Sequence, residues 1–361
     1  MSKDSSKDQA APSGRRRGVR PVALASAAAV VLAGGAFWLS GGYDAWRGTD
    51  DALAGACDGH LADGPVRQLL PGVALTASAA LQHDGWRCAL TAADTTGNGG
   101  TRFEVRVRDA QEPFGPDGAV DPGDGAVPLG GGWTGSFAYG APDEGGPARG
   151  RVVVLLDCGD ETGDGLLAAA DARLGSGTGF RDAGARARLA TALTDTALSY
   201  ARRTGCDAAD PGPVRDVAAP AAADVRVPLG RASGTCAGVV DAATGRRWGA
   251  GTAAETAAEP APVEHCTLGS VSGTPLYAFT ASYGPYGEAV LSGGDALPAL
   301  GKANAPEGHY RMTARCPGAD GTAVYEIVPD DGLALDHVSL RTALKSFATA
   351  SAERHACDAP S

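Results

Sequence analysis

Short runs of period-two hydrophobicity dominate the middle of this chain, and two longer runs of helical period close its halves. In the first half WRCALTA and TRFEVRVRD alternate apolar and polar residues, and in the second EHCTLGSV and LYAFTASY do so. Alternation over such lengths predicts half-buried strands. RVVVLLDC and HYRMTARC follow at matching places, each before a turn and a further strand. Apolar positions at 189, 193, 197 and 200, and at 340, 344, 347 and 348 with the small Ser351 continuing the stripe, recur at helical spacing. They predict an amphipathic helix closing each half. Another short helix is expected from Ala52 to Leu70, carrying the first cysteine. Strands joined by short turns, with helices at the sequence ends of each half, predict an α+β class built on antiparallel sheets.

One segment has neither rhythm. Pro21 to Ser40 runs 20 residues without a charge. As a helix it would be about 30 Å long, the thickness of a bilayer core. Arg15, Arg16, Arg17 and Arg20 precede it, and Phe37, Trp38, Tyr43 and Trp46 fall at its far end. Basic residues on one flank and aromatic residues on the other predict a single-pass signal anchor with a cytoplasmic N-terminus. A cleaved signal peptide is the alternative, since Ala33-Gly34-Gly35-Ala36 offers small residues to a peptidase. Either way the remainder is exported.

The eight cysteines all follow that segment. An even set in an oxidising compartment reads as disulfides, and the absence of any Cys-x2-Cys pair argues against zinc. They fall in two sets of four, Cys57, Cys88, Cys158, Cys206 and Cys236, Cys266, Cys316, Cys357. Residues 189–208 align without a gap to 340–359, with ten of 20 positions identical. The pattern predicts a tandem duplication. Its parts are a basic tail (1–20), the anchor (21–40), a juxtamembrane linker (41–50), a first repeat (51–209), a Pro/Ala linker (210–222) and a second repeat (223–361). Of the three pairings open to each set, first with fourth and second with third is expected. This gives Cys57–Cys206, Cys88–Cys158, Cys236–Cys357 and Cys266–Cys316, on the premise that the second and third cysteines lie on neighbouring strands.

The anchor, the WRCAL and VVLLDC strands, and the helix ends YARRTGCDA and SAERHACDA resemble a group of Streptomyces-type membrane or secreted proteins with no assigned activity. More distantly, each repeat resembles actinobacterial envelope lipoproteins of the PsbP-like kind. That likeness implies an antiparallel sheet between helices. The chain departs from them in having no cysteine at the start of the exported part.

Composition agrees with such a source. Four lysines stand against 27 arginines, with one isoleucine and two asparagines, a bias that follows G+C-rich codons. Arginine in place of lysine therefore carries no functional message here. Net charge is −11, and the exported part holds 25 basic and 40 acidic residues. Nucleic acid is excluded as a partner on that balance, and anionic wall polymers are disfavoured.

Motifs of chemistry are sparse. No G-x-S-x-G elbow, Walker A loop or H-E-x-x-H helix occurs. The histidines are His60, His83, His265, His309, His337 and His355; His265 and His309 could approach each other if their strands pair. Asp117, Asp121 and Asp124, and Asp157, Asp160, Glu161 and Asp164, mark two acidic turns without calcium-loop spacing. In LGGGWTGSFAY, Trp133, Phe137 and Tyr139 could form an exposed aromatic platform for a sugar or a protein, or pack back over the sheet. Tyr283, Pro285 and Tyr286 occupy the similar place in the second half. The sequence therefore leads to an anchored, extracytoplasmic binding module for an envelope protein or wall component, with no catalytic, metal or cofactor residues. An envelope hydrolase with an acidic site, or a small-ligand carrier, is the alternative.

Overall fold

The computed structural model describes residues 53, 56–82, 85–92, 100–112, 125–140, 146–159, 161–175, 179–222, 225–292 and 307–361. The apolar run 21–40 lies outside them. Among the described residues no helix is long and apolar enough to cross a membrane.

Each predicted alternating run is a strand. The first sheet contains β1 (Leu75–Gln82), β2 (Gly85–Ala92), β3 (Arg102–Asp109), β4 (Val127–Pro128), β5 (Gly135–Tyr139), β6 (Arg149–Asp157) and β7 (Gly165–Arg173). Their order is β1-β2-β3-β7-β6-β5-β4. The second contains β8 (Val227–Pro228), β9 (Ala250–Glu255), β10 (Val263–Ser270), β11 (Pro275–Ser282), β12 (Tyr310–Arg315) and β13 (Thr322–Pro329), in the order β12-β13-β11-β10-β9-β8. Every pairing is antiparallel. Five strands share one order, since β1-β2-β3-β7-β6 corresponds to β9-β10-β11-β13-β12.

Five helices accompany the sheets in the described residues: α1 (Asp63–Leu69), α2 (Ala183–Thr204), α3 (Ala242–Arg247), α4 (Pro285–Ser292) and α5 (His337–Arg354). The closing helices α2 and α5 are where the 3.6 period places them. Asp182 caps α2 by accepting from the Ala185 N–H at 2.8 Å, and Gly205 ends it in the left-handed region. The helix expected over Ala52 to Leu70 is broken instead. Cys57 and Asp58 take φ of 60° and 58°, so a 3-10 turn at Ala56–Gly59 stands apart from α1. In the second half α4 lies between β11 and β12.

The cysteines pair as Cys57–Cys88, Cys158–Cys206, Cys236–Cys266 and Cys316–Cys357, with Cα separations of 5.5, 4.7, 5.0 and 4.0 Å. This corrects the first-with-fourth expectation. Cys88 is on β2 and Cys158 follows β6, and β3 and β7 lie between those strands. Three interstrand steps of about 4.8 Å put the two beyond disulfide reach. β11 and β13 separate Cys266 from Cys316 in the same way.

One face of the first sheet, including Trp86, Phe103, Val105 and Val152, packs on Leu189, Leu193 and Ala197 of α2. One face of the second, including Cys266, Leu268, Phe279 and Ile327, packs on Leu340, Leu344 and Phe347 of α5. The two sheets belong to one compact unit, 52–361. Val153, Leu155, Leu167 and Ala169 turn away from α2 and join the core of the second sheet. The 3-10 turn Gly318–Asp320 docks there, with the Gly163 N–H donating to the Gly318 carbonyl at 2.8 Å and the Ala319 N–H to Asp157 Oδ1 at 2.7 Å. A Cβ on Gly165 would stand 2.4 Å from the Ala319 Cβ, so only glycine permits this approach. Residues 210–222, read as a linker, form a strap. Val214 and Val217 are buried, and buried Arg186 donates to the Val217 carbonyl at 2.8 Å.

A buried ion cluster and an arginine face

The aromatic loop is not a platform. Trp133 and Phe137 are buried, and Tyr139 is partly so. The Trp133 indole N–H donates to the Gly212 carbonyl at 2.9 Å, binding the strap to the first sheet, while Phe137 packs against Phe180 and Tyr139. Burial of their apolar area over the sheet decides this, and the alternative of packing back holds. Tyr283, Pro285 and Tyr286 are buried likewise.

The remaining candidates are scattered. His265 is exposed on β10, and β11 and β13 separate that strand from β12, beside which His309 lies 3.7 Å from Glu307. His337 meets the Tyr310 hydroxyl at 2.8 Å. His60 packs between Trp86 and Tyr200, and burial, with Arg203 nearby, lowers its pKa. His83, Asp117, Asp121, Asp124 and Asp160 lie outside the described residues. Among those described, no group of three or more His, Cys, Asp or Glu could hold a metal ion.

His355 alone sits in a dense constellation. Glu264 lies two residues before Cys266 on β10, so the pleat points it into the core with the cysteine, and it is 1% exposed. The end of α5 brings Ser351, Arg354 and His355 to it. His355 Nε2 lies 3.0 Å from Glu264 Oε1, and Nδ1 lies 2.6 Å from Asp320 Oδ2. The Ser351 hydroxyl donates to Glu264 Oε2 at 2.8 Å, and Arg354 donates to both carboxylate oxygens. Tyr283 stacks on the imidazole with ring centroids 3.6 Å apart.

Charge and burial compete in this cluster. Burial pushes the His355 pKa down, but its bonds to Asp320 and Glu264 outweigh burial and raise it to about 9. Burial would raise Glu264, and the bonds from His355 and Arg354 instead hold it below the ordinary carboxylate range. At neutral pH two cations therefore face two carboxylates. Both imidazole nitrogens are engaged as donors, which leaves His355 no lone pair for general-base work. The cluster ties the end of α5 to the turn that docks on the first sheet.

A second concentration of charge is open. The outward positions of the first sheet, those facing away from α2, include Arg87 on β2, Arg102, Arg106 and Arg108 on β3, Arg149 and Arg151 on β6, and Arg173 on β7. Glu104, Asp171 and Asp157 are the acids among the described strand residues of that face, Asp157 at the end that docks on the second sheet. Arg87 Nε and Arg106 Nη2 lie 2.8 and 2.7 Å from Glu104 Oε1, Arg102 also pairs with Glu104, and Arg151 meets Asp171 at 2.9 Å. Burial would raise the Glu104 pKa, and Arg87 and Arg106 override it and lower it. Seven arginines thus stand against three acids on the described strands of this face. Alternation placed these arginines on one side of each strand; only the strand order brings them together.

Comparisons with protein-family models, curated proteins and solved structures find no match to this chain.

Proposed function

We propose that the chain is an exported protein held in the cell membrane by residues 21–40, its N-terminus cytoplasmic and its two sheets outside, where it serves as a binding module of the envelope for a wall component or an envelope protein. The observation that supports this reading is the four disulfides, which staple both sheets at corresponding places and suit an oxidising compartment. The shared five-strand order supports reading the halves as tandem copies. Binding rather than catalysis is favoured because the densest acid–base cluster is buried and its groups are spent on one another.

The test is protease treatment of intact cells that carry the full chain with a C-terminal epitope. The epitope should be lost without lysis, and cross-linking should recover an envelope component with the protein. An epitope protected until the cells are lysed would overturn the orientation.

A further inference from the structure

We infer that the open end of the first sheet's outward face is an anion-binding site, and that its occupant is a linear polymer with phosphodiester charges. The inference deepens the proposed envelope-binding role and rests on it for the choice of polymer, while the site itself rests on register. Arg102 on β3 lies directly opposite Arg173 on β7, and Arg173 lies directly opposite Arg149 on β6. Three like charges thus stand side by side across three strands at about 4.8 Å per step. Directly opposed like charges repel, and within the row the pair between Arg102 and Glu104 offsets part of this. Arg102 and Arg173 are exposed and Arg149 is half-buried, whereas the opposite end of this face is covered by the second sheet's core.

The second sheet supplies an internal control. Cys88, Val105, Ala170 and Val152 form one cross-strand row, and Cys266, Phe279, Ile327 and Tyr310 form its counterpart. Counting from these rows, the positions of Arg102, Arg173 and Arg149 are taken by Leu276, Asp330 and Glu307. The same strand order is therefore built without arginine there, so the architecture does not require the row. A row of like charges that the fold does not need points to a ligand.

Position, not the preference for arginine over lysine, carries this argument. The chain's overall negative charge does not cancel it, because charges beyond about 8–10 Å are screened at physiological salt. The outward positions at this end, Thr91, Arg102, Arg149 and Arg173, offer no aromatic or large aliphatic side chain of the kind that anchors a protein partner. A guanidinium group pairs with phosphate oxygens in a two-pronged geometry, and a flat grid of them suits a chain with a charge on each unit.

The experiment uses the full-length protein in detergent micelles with poly(glycerol phosphate) as probe and poly-L-glutamate as comparator. At 50 mM salt the wild type should bind poly(glycerol phosphate) more tightly than poly-L-glutamate. Its affinity should fall linearly with salt on logarithmic axes, as counterion release requires. The R102Q/R149Q/R173Q variant should lose at least ~tenfold in affinity and show a shallower salt slope. It should still unfold cooperatively, because Arg87 and Arg106 continue to hold Glu104 after Arg102 is lost; a merely structural row would abolish that transition. Undiminished binding by the variant, or loss of its cooperative unfolding, would overturn the site. Equal or tighter binding of poly-L-glutamate would overturn the phosphodiester assignment. A wild type that binds neither polymer while its C-terminal epitope is exposed outside the cell fails this inference alone. Binding by a protein whose epitope stays inside fails the envelope reading and leaves the site standing.

Discussion

At the residue scale, Glu264 shows what an inward charge demands. It occupies a core position of β10, and the corresponding residue of β2, two before Cys88, is Trp86. There the aromatic rings of Trp86 and Tyr200 lie 5.7 Å apart; Ser351 aligns with Tyr200 and meets Glu264 instead. The two sheets fill one location with apolar packing and with ions, respectively. Removing one partner of a buried ion pair strands the other, so Glu264→Ala should cost about 3–5 kcal/mol in urea unfolding. The His355 contribution has a defined sign. Its folded pKa, about 9, is above the ordinary 6.5, so the stabilisation is full below about 6.5 and is lost as pH rises through 9. The stability difference between wild type and His355→Asn should therefore shrink between pH 7 and 10, as measured by denaturation at each pH. Trp133 belongs at this scale too. Trp133→Ala should cost about 3–5 kcal/mol, as large-to-small core changes do, and should expose the strap to protease.

At the element scale, the sheets explain the disulfides. Each bridge joins an element to the strand it lies against, closing loops of 30 to 48 residues. In the chain-entropy model such loops contribute about 4 kcal/mol each. Peptide mapping without reduction should recover Cys57–Cys88 and Cys158–Cys206, and the double variant Cys57→Ser with Cys88→Ser should lose stability of that order. The strands, the closing helices and the even cysteine count were legible as local patterns. The pairing was not, because the alternation in WRCALTA and RVVVLLDC says which way a side chain points and nothing about which strand is its neighbour. The break at Cys57–Asp58 was hidden for a related reason: neither residue advertises a positive φ as glycine does.

At the scale of the whole molecule, the two sheets are not beads on a linker. Asp157, Gly165 and Ala319 hold them together, and the strap lies against the first sheet through Trp133 and Arg186. A shared core predicts a single calorimetric unfolding transition for the described part of the chain. Gly165→Val, which drives a side chain into Ala319, should split that transition in two and expose residues 207–222 to limited proteolysis.

Sequence alone determined the elements and the faces they present, because periods of 2 and 3.6 are properties of backbone geometry that hydrophobic residues report directly. It also singled out the loop at Trp133, without saying that it is buried, and gave His355 only as one of six histidines. Tertiary structure decided everything that depends on adjacency between distant segments. Strand order separated Cys88 from Cys158, gathered Arg102, Arg173 and Arg149 into one row, and closed Glu264, Asp320, Arg354 and His355 into a neutral cluster. Each outcome turns on distances of a few ångströms between residues tens of positions apart, and local periodicity carries no information about those.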